Sequence, residues 1–179
     1  MRSSFLLFPA ILCAALAPSA SAEMRQIAPG RYDCRAPAGH YETVDVSSFL
    51  DTSNSIAARF RFVSADFNPD TPASAALVYQ LDNGETATIV VAAYPDSDLL
   101  YVGLKPPGSN QLHVMATTRR SRIVELSATW IRGAIFARFG NERGQINVQG
   151  RRLVRREVMC SSGRFEIELT RNPRPPRRV

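Results

Sequence analysis

An antiparallel, all-β sandwich of about nine or ten short strands is the fold this 179-residue sequence predicts. Three observations carry that prediction. Apolar residues recur with period two through the middle of the chain, turn residues interrupt them at regular intervals, and no stretch shows a helical stripe beyond a single turn over residues 46–50. Several strands are apolar on one face only, as expected where each sheet covers the other and shows water its polar side.

The chain opens with a segment that reads as a leader. Arg2 supplies a positive start, residues 5–16 are apolar, and Ala20-Ser21-Ala22 fits a small-residue cleavage site. Twelve apolar residues are too few to cross a bilayer, which takes about 20. No later stretch approaches that length, so no transmembrane segment is expected. Cys13 follows Ile11 and Leu12, not the small residue that lipidation requires. The reading is therefore a cleaved signal peptide at 1–22, a single β domain at 23–170, and export to the periplasm or the cell exterior.

The strands follow in order. Ile56, Ala58, Phe60 and Phe62 take one face while Ala57, Arg59 and Arg61 take the other. Residues 76–81 and 86–94 flank Asp82-Asn83-Gly84-Glu85, whose Asn-Gly core is a strong hairpin signal because both residues tolerate positive φ. After the turn at 94–98, strands are expected over 99–104, 112–117, 123–131, 134–139, 145–148 and 153–160. Pro106-Pro107-Gly108-Ser109-Asn110, Arg132-Gly133, the 140–144 loop, Gly150 and Ser161-Ser162-Gly163 are read as the breaks between them. In the last strand, Phe165, Ile167 and Leu169 alternate with Arg164, Glu166 and Glu168. A closed barrel of the lipocalin type makes the same pattern and is the alternative architecture.

Cleavage leaves two cysteines, Cys34 and Cys160. Export carries them to an oxidising compartment, where an isolated pair forms a disulfide. It would join the start of the domain to the strand before the last. Closing so long a loop contributes about 4–5 kcal/mol in the chain-entropy account.

The formal charge of +6 falls to +5 without Arg2, and to +1 without the four arginines of residues 171–179. The basic character is thus concentrated in that tail, whose three prolines and four like charges read as disordered. Arginine supplies nearly all the positive charge, Lys105 being the only lysine, a usage typical of GC-rich bacterial genomes. Nucleic acid is not an expected partner, since export removes the chain from it and the tail has no interleaved aromatics.

The order of residues 55–62 (Ser-Ile-Ala-Ala-Arg-Phe-Arg-Phe), 75–79 (Ala-Ala-Leu-Val-Tyr) and 99–104 (Leu-Leu-Tyr-Val-Gly-Leu) resembles laminin-G and other concanavalin-like sandwiches. Residues 128–133, with Trp130, are similar to the late tryptophan strand of that family. The likeness covers about half of the mature chain and is one of pattern, without a diagnostic motif. It implies a jelly-roll β-sandwich and, by analogy, glycan binding or adhesion, with some members hydrolysing glycans.

Candidate sites follow from side-chain chemistry. Glu166 and Glu168 share a strand face at about 6.6 Å, a spacing compatible with paired carboxyls in glycoside hydrolysis. A solvated strand face carries the same pattern. Asp96 and Asp98 offer oxygen ligands to Ca²⁺, although aspartates in a turn ordinarily bond to their own backbone. Arg119, Arg120 and Arg122 form one cationic group and Arg151, Arg152, Arg155 and Arg156 another; on one sheet face they would attract a sulfated or phosphorylated polymer. Tyr94, beside a turn, is the best placed ring for sugar stacking, whereas Tyr79 and Tyr101 stand in apolar strands and Trp130 follows the face of Val124, Leu126 and Ala128, so core packing is expected for most of them. His113 falls in an apolar strand, His40 in a loop, and neither zinc nor phosphate-binding spacing is present. No cofactor is expected.

These readings favour a non-enzymatic binding or structural domain of the bacterial envelope that recognises a glycan, an anionic polymer or a protein. The alternatives are a glycan hydrolase using Glu166 and Glu168, and a barrel holding a small apolar ligand.

Overall fold

The computed structural model describes residues 21–50, 54–66 and 71–170. The expected leader up to residue 20 and the arginine-proline tail lie outside the described residues. Eleven strands make up the fold: β1 (Glu23–Ala28), β2 (Arg31–Asp45), β3 (Ser55–Ala65), β4 (Ala73–Leu81), β5 (Thr86–Ala93), β6 (Leu99–Lys105), β7 (His113–Arg119), β8 (Val124–Ile131), β9 (Ala134–Phe139), β10 (Glu142–Asn147) and β11 (Leu153–Thr170). Every pairing is antiparallel, in the order β10-β9-β8-β3-β11-β4-β5-β6-β7, with β2 also on β11 and β1 on β2.

The long last strand explains how one hydrogen-bonded path makes two layers. The first part of β11 pairs β4, from Leu153 opposite Leu81 to Ser161 opposite Ser74. Its second part pairs β3, from Gly163 opposite Ala65 to Thr170 opposite Ala57. β2 follows both parts but loops out over residues 37–40, since Tyr41 faces Ser161 while Ala36 faces Gly163. The ribbon β2–β11 therefore passes from a layer of β10, β9, β8, β3 and β1 into a layer of β4, β5, β6 and β7. Among the described residues no ladder joins the free edges β10 and β7. The architecture is a sandwich whose edges approach each other without closing into a barrel.

The crossing point is Ser162-Gly163, and here the expected turn is a bulge inside a continuous strand. Ser162 is fully buried at φ +51°. Its hydroxyl accepts the Gly39 amide at 3.0 Å and its carbonyl accepts the Asp66 amide at 3.0 Å. A Cβ on Gly163 would stand 2.7 Å from the Ser64 carbonyl oxygen, so the close approach of two backbones requires glycine. Consequently Cys160 belongs to the last strand and not to one before it. β1 and β2, over residues where no strand is expected, bring the count to eleven, and His40, expected in a loop, lies within β2.

The core is the set of inward residues that period two selects. Ile56, Ala58 and Phe60 on β3, Leu77 and Tyr79 on β4, Ile89 and Val91 on β5, and Phe165 and Ile167 on β11 are all 0–2% exposed. Each large side chain among them contributes about 1.5–3 kcal/mol by leaving water. Two bonds cross the layers. Cys34, opposite Phe165, forms a disulfide with Cys160, opposite Ala75. The Tyr79 hydroxyl donates to the Ala128 carbonyl at 2.8 Å, and burial pushes its pKa up beyond the usual phenol range.

Turn chemistry departs from expectation in detail. At 82–85 the Gly84 amide donates to the Leu81 carbonyl at 3.0 Å, and only Gly84 has positive φ. This is a type I turn closed by a left-handed glycine, not a primed two-residue turn. Arg132-Gly133, both at positive φ, do form the primed two-residue turn between β8 and β9. The expected 140–144 loop shrinks to Gly140-Asn141, because Glu142 already pairs Phe139.

Candidate functional site

The outer face of the β4–β7 layer is a shallow trough with an open volume of ≈ 870 Å³. Register defines it as three rows. The first runs Tyr41, Ser161, Ser74, Ala92, Tyr101, Thr117; the second Thr43, Met159, Ala76, Val90, Gly103; the third Asp45, Glu157, Val78, Thr88, Lys105. Small residues in the centre and larger ones at the margins make the face concave. Ala76, Val78, Val90 and Ala92 pack under Leu112 and Met159 as a second, outer apolar cluster.

One wall is the segment between β6 and β7. The Ser109 amide donates to the Pro106 carbonyl at 3.1 Å, with Gly108 at φ +71°, which makes a type II turn from Pro-Pro-Gly. Leu112 then lies over Gly103, where a Cβ would meet its side chain at 2.9 Å and the His113 carbonyl at 2.6 Å. His113 itself is exposed at the start of β7 and is not packed.

Two tyrosines stand at one margin. Tyr94 is 38% exposed, as the sequence suggested, and Tyr41 is 67% exposed on β2. Three strand spacings separate the row positions of Tyr41 and Ala92, roughly 14 Å, and Tyr94 lies two residues beyond Ala92. Tyr94 packs edge-on against Tyr101 with ring centres 5.2 Å apart, and the Tyr101 hydroxyl bonds to Ser97 Oγ at 3.2 Å. Tyr41 was not singled out by sequence, since its position on the face follows only from the β2–β11 register. Trp130 is half-buried against the main core, as its strand face implied.

The two arginine groups are not brought together. Arg151, Arg152, Arg155 and Arg156 lie near the β4–β5 hairpin, and Arg119, Arg120 and Arg122 at the far end of β5. Asp82 Oδ1 accepts the amides of Arg151 and Arg152 at 2.9 and 3.2 Å, and Arg152 Nε lies 3.4 Å from Asp82 Oδ2. Arg155 pairs with Asp45 and Glu157, each at 3.2 Å. Arg156 turns inward at 7% exposure and donates to the Ser47 carbonyl at 3.1 Å. The second group is therefore largely matched within the fold.

In the first group, Arg120 has a structural task. It donates to the Tyr94 carbonyl, lies 5.5 Å over the Phe62 ring, and its amide donates to the Asp98 carbonyl at 3.1 Å. Asp96 and Asp98 stand in that turn, where the Ser97 amide donates to the Tyr94 carbonyl at 3.2 Å and Ser97 Oγ accepts the Leu99 amide at 3.1 Å. Among the described residues no three histidine, cysteine, aspartate or glutamate side chains gather as a metal site.

Glu166 and Glu168 occupy the outer face of the other layer, inside a cross-strand lattice of arginines and carboxylates. One row reads Glu125, Arg59, Glu168, Arg31 and the next Arg61, Glu166, Asp33, Arg25. Arg59 lies 3.1 Å from Glu125 and 3.4 Å from Glu168, and Arg61 3.1 Å from Glu166. Beside them Arg164 forks onto Asp33 at 2.9 and 2.8 Å and holds that carboxyl below its usual range.

No family model matches the sequence, and no curated protein matches it. Among solved structures, the carbohydrate-binding module CBM66 from Bacillus subtilis aligns at TM-score 0.51 and 8% identity, over 83% of this chain and 89% of that one. A tetrameric galectin from the ball sponge Cinachyrella sp. aligns at 0.44 and 9%, over 75% and 100%. The homodimeric agglutinin CG-16 from chicken liver aligns at 0.44 and 11%, over 73% and 100%. The likeness to the first establishes a jelly-roll β-sandwich.

Proposed function

We propose that the chain is an exported, non-enzymatic binding domain of the bacterial envelope that holds a glycan in the trough over β2, β11, β4 and β5. The observation that carries this reading is the pair of exposed tyrosines, Tyr41 and Tyr94, at the margin of a concave face rich in hydroxyls. An aromatic ring offers an apolar face to the carbon-bound hydrogens of a sugar and a polar tip to its hydroxyls. Ser161 and Ser74 supply donors and acceptors between the rings, and Thr43 and Thr88 supply them further along the face. The carbohydrate-binding module among the similar folds supports the same reading by analogy.

Binding without turnover fits the placement of Glu166 and Glu168. Both are ion-paired on the layer that faces away from the trough. Export rests on Arg2, the apolar residues 5–16 and Ala20-Ser21-Ala22.

The test is a glycan array probed with the oxidised protein. Specific hits should weaken about tenfold or more in Tyr41→Ala and Tyr94→Ala, as expected for loss of an aromatic anchor. Hits unaffected by both substitutions would remove the trough as the site.

A further inference from the structure

The trough does not end at Tyr94. Beyond the Tyr94–Tyr101 pair, Thr117 continues the row and Leu99 lies opposite Arg119, so the outer face runs on to the β7–β8 turn. Leu99, Thr117, Arg119, Ser121 and Arg122 line a second hollow of ≈ 550 Å³ there. The Arg122 amide donates to the Arg119 carbonyl at 3.0 Å, which makes these residues the first and last of one tight turn. Their Cα atoms are therefore less than about 7 Å apart.

Two like charges carried on one turn repel each other, and an anion held by both relieves that repulsion. Among the described residues neither Arg119 nor Arg122 forms an ion pair, and this includes Asp96 and Asp98 in the facing turn. Arg152, Arg155 and Arg164, by contrast, are each matched to a carboxylate. The intervening Arg120 anchors the turn, through the Tyr94 carbonyl and the Phe62 ring. The same contact fixes the backbone that carries the Tyr94 ring. One clamped arginine thus sets the backbone that carries an aromatic ring and two unmatched arginines in fixed relation on one face.

We infer that the ligand is an acidic glycan, and that Arg119 and Arg122 bind a carboxylate or sulfate on a sugar unit next to the one held at Tyr94. The inference rests on the glycan reading above and adds the charge of the ligand and the residues that recognise it. Guanidinium groups suit planar or tetrahedral oxyanions through paired hydrogen bonds, and Thr117 and Ser121 add hydroxyls. The acidic glycan bridges both hollows; a neutral one reaches only the first.

An array carrying neutral glycans beside their uronic and sulfated counterparts decides it, with the oxidised wild type, the Arg119→Gln/Arg122→Gln double variant and the Tyr41→Ala/Tyr94→Ala double variant. Acidic hits should exceed their neutral counterparts roughly tenfold, a difference the arginine variant abolishes without lowering neutral binding. Its denaturation midpoint should match wild type, since among the described residues neither guanidinium makes a hydrogen bond or an ion pair. Uronic hits without sulfated ones assign a carboxylate, and the reverse assigns a sulfate. Equal binding of acidic and neutral partners, or an unchanged preference in the arginine variant, overturns the inference and leaves the trough reading intact. Absence of any hit, or hits indifferent to the tyrosine variant, overturns the trough reading and this inference with it.

Discussion

Tyr79 shows how much a single polar atom can decide inside an apolar layer. Its ring is fully buried and its hydroxyl reaches across the sandwich to the Ala128 carbonyl. Tyr79→Phe removes the donor and leaves that carbonyl buried without it, a loss of about 1–2 kcal/mol expected from urea denaturation. Gly103 makes a comparable case at the trough. Any Cβ there collides with Leu112 and with the His113 carbonyl. Gly103→Ala should therefore cost roughly 1–3 kcal/mol and loosen the segment that walls the trough, which hydrogen exchange of residues 108–112 would report. A substitution that leaves exchange there unchanged would show that Leu112 is not the latch.

At the scale of elements, the β4–β5 hairpin acts as a clamp on the segment leading into β11. Asp82 receives the Arg151 and Arg152 amides, and Glu85 receives those of Gln149 and Gly150 at 2.7 and 3.1 Å. The Arg152 amide chiefly lowers the Asp82 pKa from its ordinary 3.8; Asn83 and then the Gln149 amide lower that of Glu85 from 4.5. Lowered folded values mean the stabilisation is complete above those ordinary values and disappears as pH falls through the lower folded ones. The drop in denaturation midpoint between pH 6 and pH 3 should thus shrink in Asp82→Asn/Glu85→Gln. The charge lattice across β8, β3, β11 and β2 behaves differently, because its pairs are solvated. Glu166→Gln and Glu168→Gln should each shift stability by less than about 1 kcal/mol. Period two made β3 and the end of β11 legible, because each buries one clean face, whereas β4 and β5, buried on both, were legible as apolar runs flanking Asn83-Gly84. β2 was not, since Pro37, Gly39 and His40 interrupt it and its partner lies more than a hundred residues away on β11, and β1 pairs only with β2. The Ser161-Ser162-Gly163 bulge uses the same residue types as a turn, so only pairing distinguishes them. Tyr94 could be found from its neighbouring proline and aspartates. Tyr41 and the separation of the arginine groups depend on register, which single-sequence patterns do not encode.

For the whole molecule, the seam between the layers is the ribbon β2–β11, and the disulfide closes it from inside. Cys34 sits beside the part of β11 that pairs β3, and Cys160 on the part that pairs β4. The bond therefore ties one layer to the other, across a sequence separation of 126 residues. In the unfolded chain that link removes loop-closure entropy worth about 4–5 kcal/mol. In the folded chain both cysteines are fully buried among apolar neighbours, so removal also leaves a small void. Cys34→Ala/Cys160→Ala avoids free thiols and separates these effects from oxidation chemistry. Its denaturation free energy should fall by about 4–5 kcal/mol, close to the whole stability of many domains of this size. The trough shares β2 and β11 with the seam but lies on its outer face, whereas Cys34 and Cys160 point into the core, and the β4–β5 and β5–β6 pairings do not involve it. Any variant that remains folded should bind the glycan hits of the oxidised protein with unchanged affinity, measured below its unfolding transition. Weakened binding in a fully folded variant would instead mean that the seam sets the curvature of the face, through the part of β11 that supplies Met159 and Ser161.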